Sequence, residues 1–260
     1  MNGMSKQNSQ KRLDYDLIAH LYDEPLRDHP ADEFLFSYLK ENDLLKTEEI
    51  RVLDMGCGTG KQLASNRKLF HKTMLAGIDL SIGMLKQARK RCGNVFWVQG
   101  DSSRTPFESD SFHYITNQFS YPHVADKNSM LAETYRLLKR GGKFVMKNID
   151  PWNMEKWILY KYFPEALEMD FRDFLPAEKF IELLKQNGFV SIEMSRQRSD
   201  SEENLLNFLE YVSKRYRTSH LMAIRDEQYE TGLINIKEDI RKGIGNQKSE
   251  FCTITIFAEK

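Results

Sequence analysis

The sequence predicts a doubly wound α/β fold, a parallel sheet with helices on both faces. Three observations carry this. Between residues 50 and 149, short apolar runs alternate with amphipathic helical segments. A glycine-rich turn, "GCGTG" at 56–60, directly follows the first apolar run. Acids then fall at the carboxyl ends of the first three strands: Asp54, Asp79 and Asp101. In open parallel sheets that edge is where ligands bind.

Each element follows from its local pattern. "DYDLIAHLYDE" places Leu17, Ile18 and Leu21 at helical spacing, and "ADEFLFSYLKEND" does the same with Phe34, Leu35, Tyr38 and Leu39. "IRVLDM" reads as a buried strand and "KQLASNRKLF" as a helix. "MLAGID" is a second strand, followed by the helix "SIGMLKQARKRC" with Ser81 as its cap. "VFWVQG" and "FHYITN" are the third and fourth strands. "NSMLAETYRLLKR" is a helix expected to stop at Gly141 and Gly142, before the fifth strand "KFVMKNI". After Asp150 comes an aromatic-rich segment, irregular or helical, then a helix in "PAEKFIELLKQNGF" between Pro176 and Gly188. "SIEMSR" is a sixth strand. Residues 200–246 read as mostly helical, and "EFCTITIFAEK" alternates as a seventh strand.

A chain of 260 residues fits one large domain, or one domain with a substantial insertion. Its 38 basic and 38 acidic residues cancel, which argues against a phosphate-backbone partner such as nucleic acid. Cys57, Cys92 and Cys252 are odd in number and scattered, so neither a disulfide framework nor a metal site is expected. That usage fits a reducing, cytoplasmic location. The polar segment 1–12 lacks an apolar core, is not expected to be a signal peptide, and is expected to be disordered. No apolar run is long enough to span a membrane.

Which ligand needs the glycine turn? A phosphate loop would require glycine at 55 and Ser or Thr at 62, where Met55 and Gln62 stand. A dinucleotide fingerprint aligns Gly56 and Gly58 but meets Lys61 where its third glycine belongs. A third reading uses the acids. Asp79 is placed to accept from ribose hydroxyls, Asp101 from an exocyclic amine, and Asp54 can orient the loop or an ammonium group. Such acceptors suit an adenosyl ligand that bears an amino acid and no phosphate.

The stretches "VLDMGCGTG", "GIDLSIGML", "VQGDSSRTPFESDSFHYI" and "LAETYRLLKRGGKFVM" resemble the successive motifs of class I S-adenosylmethionine-dependent methyltransferases. The likeness is to the branch with the ubiquinone/menaquinone C-methyltransferases, and it covers roughly Tyr15 to Ile149. It implies a seven-stranded sheet with an antiparallel last strand. It implies S-adenosylmethionine contacts at Gly56, Gly58 and Gly60, with Cys57 inside the same loop. Asp79 would hold the ribose and Asp101 the adenine, with Ser102 beside it. Leu80 and Met84 match the apolar walls, Asn117 and Gln118 the segment beneath the sulfonium, and Tyr22 the family's cap. Arg140 and His113 depart from the usual pattern away from these contacts.

One methyltransferase domain is expected at 13–260, with an N-terminal helical cap (13–45) that the resemblance implies; the segments 151–175 and 199–247 leave the ends of the fifth and sixth strands at the same sheet edge as the glycine turn and are expected to be lid insertions. The acceptor is expected to be a small molecule. If it must lose a proton, His123 is the candidate general base, although a histidine there can also simply pack or bond locally. Methylation of RNA or protein, and a non-catalytic cofactor-binding protein, stand as alternatives. The sequence is silent on oligomeric state and on the atom methylated.

Overall fold

The computed structural model describes residues 14–22, 29–45 and 50–260. The segment expected to be disordered, 1–12, lies outside the described residues. The sheet is built from β1 (Arg51–Met55), β2 (Met74–Asp79), β3 (Phe96–Gln99), β4 (Phe112–Gln118), β5 (Leu138–Ile149), β6 (Val190–Asn204) and β7 (Asn246–Glu259). Their order is β3-β2-β1-β4-β5-β7-β6. The first five run parallel, and β7 is antiparallel to both β5 and β6. The strand order reverses between β1 and β4, which makes their carboxyl ends a topological switch point.

Helices cover both faces, as the alternation predicts. On one face, α1 (Glu33–Glu41), α2 (Lys61–Leu69) and α3 (Ile82–Arg91) bring Leu35, Leu63 and Leu85 against Val52, Leu75 and Tyr114. On the other, α4 (Lys127–Leu137) and α7 (Ala177–Gln186) bring Leu131 and Phe180 against Leu53, Ile115 and Phe144. Consecutive β1 residues therefore serve opposite cores, the period of a strand buried on both sides. Caps set the helix starts. Asp32 accepts from the N–H groups of Phe34 and Leu35 at 3.0 and 3.2 Å, and Ser81 Oγ accepts from the N–H of Met84 at 3.0 Å.

Three boundaries differ from the sequence reading. Instead of a helix from Asp14 onward there is a 3-10 turn, Tyr15–Leu17, with Leu17 exposed and Ile18 buried. Polar ties hold this short segment in place of helical propagation: Asp16 accepts from the hydroxyl of Ser81 and from the N–H of Gly83. The helix expected to run to Arg140 ends at Leu137, because Leu138 is buried and pairs with Phe112. The left-handed φ of Gly141, +73°, serves the bulge that follows and not a helix cap. The helical reading of 200–204 is also corrected. These residues pair with 246–250 of β7, and Asn204 caps the next helix by accepting from Leu206 and Asn207. Pairing here overrides local propensity.

That extension has architectural weight. Ile149, the last residue of β5, stands opposite Thr253. Residues 198–204 of β6 and 246–252 of β7 run on beyond it as a two-stranded arm, roughly 20 Å at the usual rise per residue. The arm carries α8 (Leu205–Val212), α9 (Ser219–Ala223) and α10 (Asp226–Arg241). They pack on α5 (Ile158–Tyr162) and α6 (Pro164–Asp173), where the Phe163 ring stacks on Tyr229 and the Tyr162 hydroxyl donates to Asp239 at 2.9 Å. Among the described residues no helix is long and apolar enough to cross a membrane.

Candidate functional site

The glycine turn joins β1 to α2 at the switch point. The N–H groups of Gly56 and Cys57 both donate to the carbonyl of Ile78, at 2.8 and 3.1 Å, tying the turn to β2. Gly56, Gly58 and Gly60 have φ of +77°, +52° and +73°, a region side chains rarely adopt. Gly56 also lacks room: an added Cβ would lie 2.2 Å from Ser120 Oγ. Gly58 differs, since a Cβ there would meet nothing within 4 Å. Its bare backbone faces open space at the rim.

Asp79 closes β2 and grips that turn. One carboxylate oxygen accepts from the N–H of Gly58 at 2.8 Å, the other from the N–H of Ser81 at 2.9 Å. Burial raises its pKa, and these two bonds act against the rise. Asp54 is 4% exposed and accepts no hydrogen bond among the described residues. Burial, followed by repulsion from Asp32 and Asp79, pushes its carboxyl up to about 8. Asp32 is raised by burial too; it accepts from the Tyr114 hydroxyl at 3.1 Å and is partly offset by Lys147. Burial likewise pushes the Cys57 thiol well up, so it is a poor nucleophile.

The other expected residues divide. Asn117 is buried and donates to the Met55 carbonyl at 2.9 Å, while its side-chain oxygen is sealed without a partner among the described residues. Gln118 donates to Thr116 at 3.4 Å. Met84 is buried on α3, and Leu80 is exposed at the rim. Asp101 is exposed on the loop after β3, and one of its oxygens accepts from both the N–H and the hydroxyl of Ser103 at 2.8 Å. That is a turn cap. Ser102 follows it, half-buried. Tyr22 is half-exposed and sits edge-on to Tyr15 with ring centroids 6.1 Å apart.

Above the rim a second polar cluster forms from parts far apart in sequence. His123 ends the 3-10 turn Tyr121–His123 after β4, and its Nε2 lies 3.0 Å from the Tyr15 hydroxyl. The surrounding protein lowers its pKa, by desolvation first and then by repulsion from His220. Burial raises the Tyr15 pKa, and Tyr22 and Asp79 add to the rise while Ser219 opposes it, which links this cluster to the rim. His220 Nε2 lies 2.7 Å from Asp170, and the other Asp170 oxygen accepts from the Tyr160 hydroxyl. Tyr15, Ser219 and Asp170 are additions that the sequence reading did not single out as site residues.

The rim thus offers carboxylates, backbone amides and open backbone, and residues 56–60 themselves carry no basic side chain. This suits a ligand with hydroxyl groups and positive charge. It also sets a pH dependence. A raised folded-state pKa means that the neutral form of Asp54 is favoured by folding. Its contribution is in place below the ordinary carboxylate range and is lost as pH rises toward and past about 8. Asp32 and Asp79 act in the same direction. The ligand-free wild type should therefore lose thermal stability between about pH 5 and pH 9 more steeply than Asp54→Asn, as read by melting curves across that range. Parallel curves for the two proteins would remove Asp54 as the source.

Comparison with known proteins adds to the geometry. Residues 52–142 match the family model described as "Methyltransferase domain". The demethylmenaquinone methyltransferase of Chlorobaculum parvum is 31% identical over 168 residues, covering 56% of this chain and 68% of that protein. That of Thermotoga maritima is 27% identical over 171 residues, covering 58% and 75%. Among solved structures, phosphoethanolamine N-methyltransferase 2 of Haemonchus contortus, in complex with phosphomonomethylethanolamine and S-adenosylhomocysteine, superposes with a TM-score of 0.59 at 21% identity. It covers 94% of this chain, and the chain spans 57% of its length. That likeness is one of fold.

Proposed function

The chain belongs to the class I S-adenosylmethionine-dependent methyltransferases, and from that premise we propose that the rim between β1, β2 and β4 holds S-adenosylmethionine for methyl transfer to a small molecule in the cytoplasm. The single observation that carries the site assignment is the acidic rim: Asp54 is buried with no hydrogen-bond partner for its side chain among the described residues, beside Asp79 and a glycine turn whose backbone faces open space. A cationic amino-acid moiety would supply the charge that Asp54 lacks. Asp79, already oriented by two backbone donors, keeps lone pairs for the ribose hydroxyls. Asp101 has one oxygen outside its turn cap for the adenine amine, with Ser102 beside it. Leu80 and Met84 would flank the adenosine, and Asn117 and Gln118 would underlie the sulfonium end. Gly56, Cys57 and Gly60 shape the turn.

The bound donor supplies an electrophilic methyl group. The protein's part is to align the acceptor with it and to exclude water. Tyr15, Tyr22 and His123 line the mouth above the rim, and the segments 151–175 and 199–247 are proposed to close over it. Charge balance across the chain favours a small molecule over nucleic acid.

The test is calorimetric titration with S-adenosylmethionine and, separately, with a nicotinamide dinucleotide. S-adenosylhomocysteine formation is then measured with small-molecule, RNA and protein fractions. Saturable binding of the first ligand alone, with turnover confined to the small-molecule fraction, is expected. Binding without turnover in any fraction would favour a non-catalytic binding protein.

A further inference from the structure

The histidine at the mouth of the rim is not the one best equipped to hold a proton. Through its Nε2 His123 meets a tyrosine hydroxyl, and its protonated form is disfavoured. His220 meets a carboxylate at 2.7 Å. Asp170 itself is 4% exposed, and its second oxygen is taken by the Tyr160 hydroxyl, so both groups are fixed in direction. A buried carboxylate that orients an imidazole also stabilises the imidazolium formed when the ring accepts a proton. Nδ1 of His220 makes no hydrogen bond among the described residues.

Position agrees with chemistry. α6 packs on both α9 and the 3-10 turn that ends at His123, so His220 comes close enough to His123 for the two rings to repel. Tyr15 bridges to the rim, bonded to His123 on one side and followed by Asp16, which is tied to Ser81 and Gly83 beyond Asp79. The charged and titratable groups around His220 are Asp170 from α6, Tyr160 from α5, and His123 and Tyr15 from the rim. Asp173 is engaged by Arg172, and Arg215 by Asp226, while the Arg217 guanidinium lies over the Tyr211 ring. Trp157 closes one side, edge-on, with ring centroids 5.8 Å apart.

We propose that the Asp170–His220 pair is the proton acceptor for a methyl acceptor that attacks through a hydroxyl or amine that must lose its proton. This rests on the reading of the rim as the S-adenosylmethionine site. The attacking atom gains the methyl carbon as the methyl–sulfur bond breaks with its electron pair left on sulfur. The acceptor's proton moves to Nδ1 of His220, and the imidazolium pairs with Asp170 until solvent removes that proton. His123 is then a positioning residue, holding Tyr15 across the mouth.

The experiment compares wild type, His220→Gln and His123→Gln, each with S-adenosylmethionine and two probe acceptors, 1,4-naphthohydroquinone and 2-phenylethylamine. With the probe that is turned over, His220→Gln should lower kcat about thirtyfold or more. It should remove the acidic limb of the pH profile, leave the calorimetric affinity for S-adenosylhomocysteine unchanged, and be partly rescued by added imidazole. His123→Gln should keep the limb. In the S-adenosylhomocysteine complex, a far-downfield imidazole N–H resonance should vanish in both His220→Gln and Asp170→Asn. An acidic limb that persists in His220→Gln, an equal loss at every pH, or no turnover of either probe by a wild type that binds S-adenosylhomocysteine would each overturn the proposal. A wild type that fails to bind S-adenosylhomocysteine would instead overturn the underlying reading of the rim.

Discussion

Replacing Asp79 by alanine should weaken S-adenosylmethionine binding by on the order of a hundredfold, about 3 kcal/mol. Two losses combine. The ribose hydroxyls would lose an ionised acceptor, and charge-assisted hydrogen bonds of this kind contribute more than neutral ones. The turn itself would lose its brace, because Asp79 is what the Gly58 N–H donates to. Asp79→Asn separates the two, since its amide oxygen can still accept from one backbone donor. It should recover part of the affinity. Asp101→Ala should cost less, because only one neutral donor is at stake and its other oxygen serves a local turn. Calorimetry on the three variants gives the ranking. Equal affinities for Asp79→Ala and wild type would remove Asp79 from the site.

Alanine at Gly56 and at Gly58 should fail in different ways. Both positions need a left-handed backbone, which costs an ordinary residue about 1–2 kcal/mol. At Gly56 the new methyl would also collide with Ser120, whose hydroxyl donates to the Met55 carbonyl at 2.9 Å. Displacing that side chain adds roughly 1 kcal/mol or more. Gly56→Ala should therefore be mainly a folding defect, lowering the melting temperature by about 5–10 °C. Gly58→Ala meets no protein atom, so its stability loss should stop at the backbone term, while its methyl would project into the space proposed for the ligand. It should bind S-adenosylmethionine at least tenfold more weakly, with melting closer to wild type. Melting curves and calorimetry on the pair decide this. A Gly58→Ala protein with native affinity would mean that the open space is not the cradle.

Features written in short windows were legible in the sequence. The turn glycines, the acids at strand ends and the Ser81 cap each depend on neighbours within a few residues, and the structure carries them as expected. Features made by distant partners were not. Tyr15 and His123 are 108 residues apart, and His220 and Asp170 are 50 apart, so no local pattern announces either pair. Boundaries failed for a related reason. Leu138 reads as the continuation of a helix until Phe112 is known to lie beside it. The run "SDSEEN" has no apolar alternation because its strand is exposed at the sheet's edge, held by β7 alone. His123 stood out because it follows the fourth strand closely. His220 lies in the stretch "SKRYRTSH", with no neighbour in sequence that announces its carboxylate partner.

The two-stranded extension of β6 and β7 bears on how such a protein could change its diet of acceptors. Everything proposed to touch the donor hangs from β1 to β4, whereas α8, α9 and α10 are mounted on a separate stalk at the far side of the sheet. On the reading proposed above, substitutions or length changes at the tip of that stalk should alter which molecule is admitted while leaving the proposed nucleoside socket as it was. The fold thereby separates what is given from who receives it, and the two halves are free to drift at different speeds.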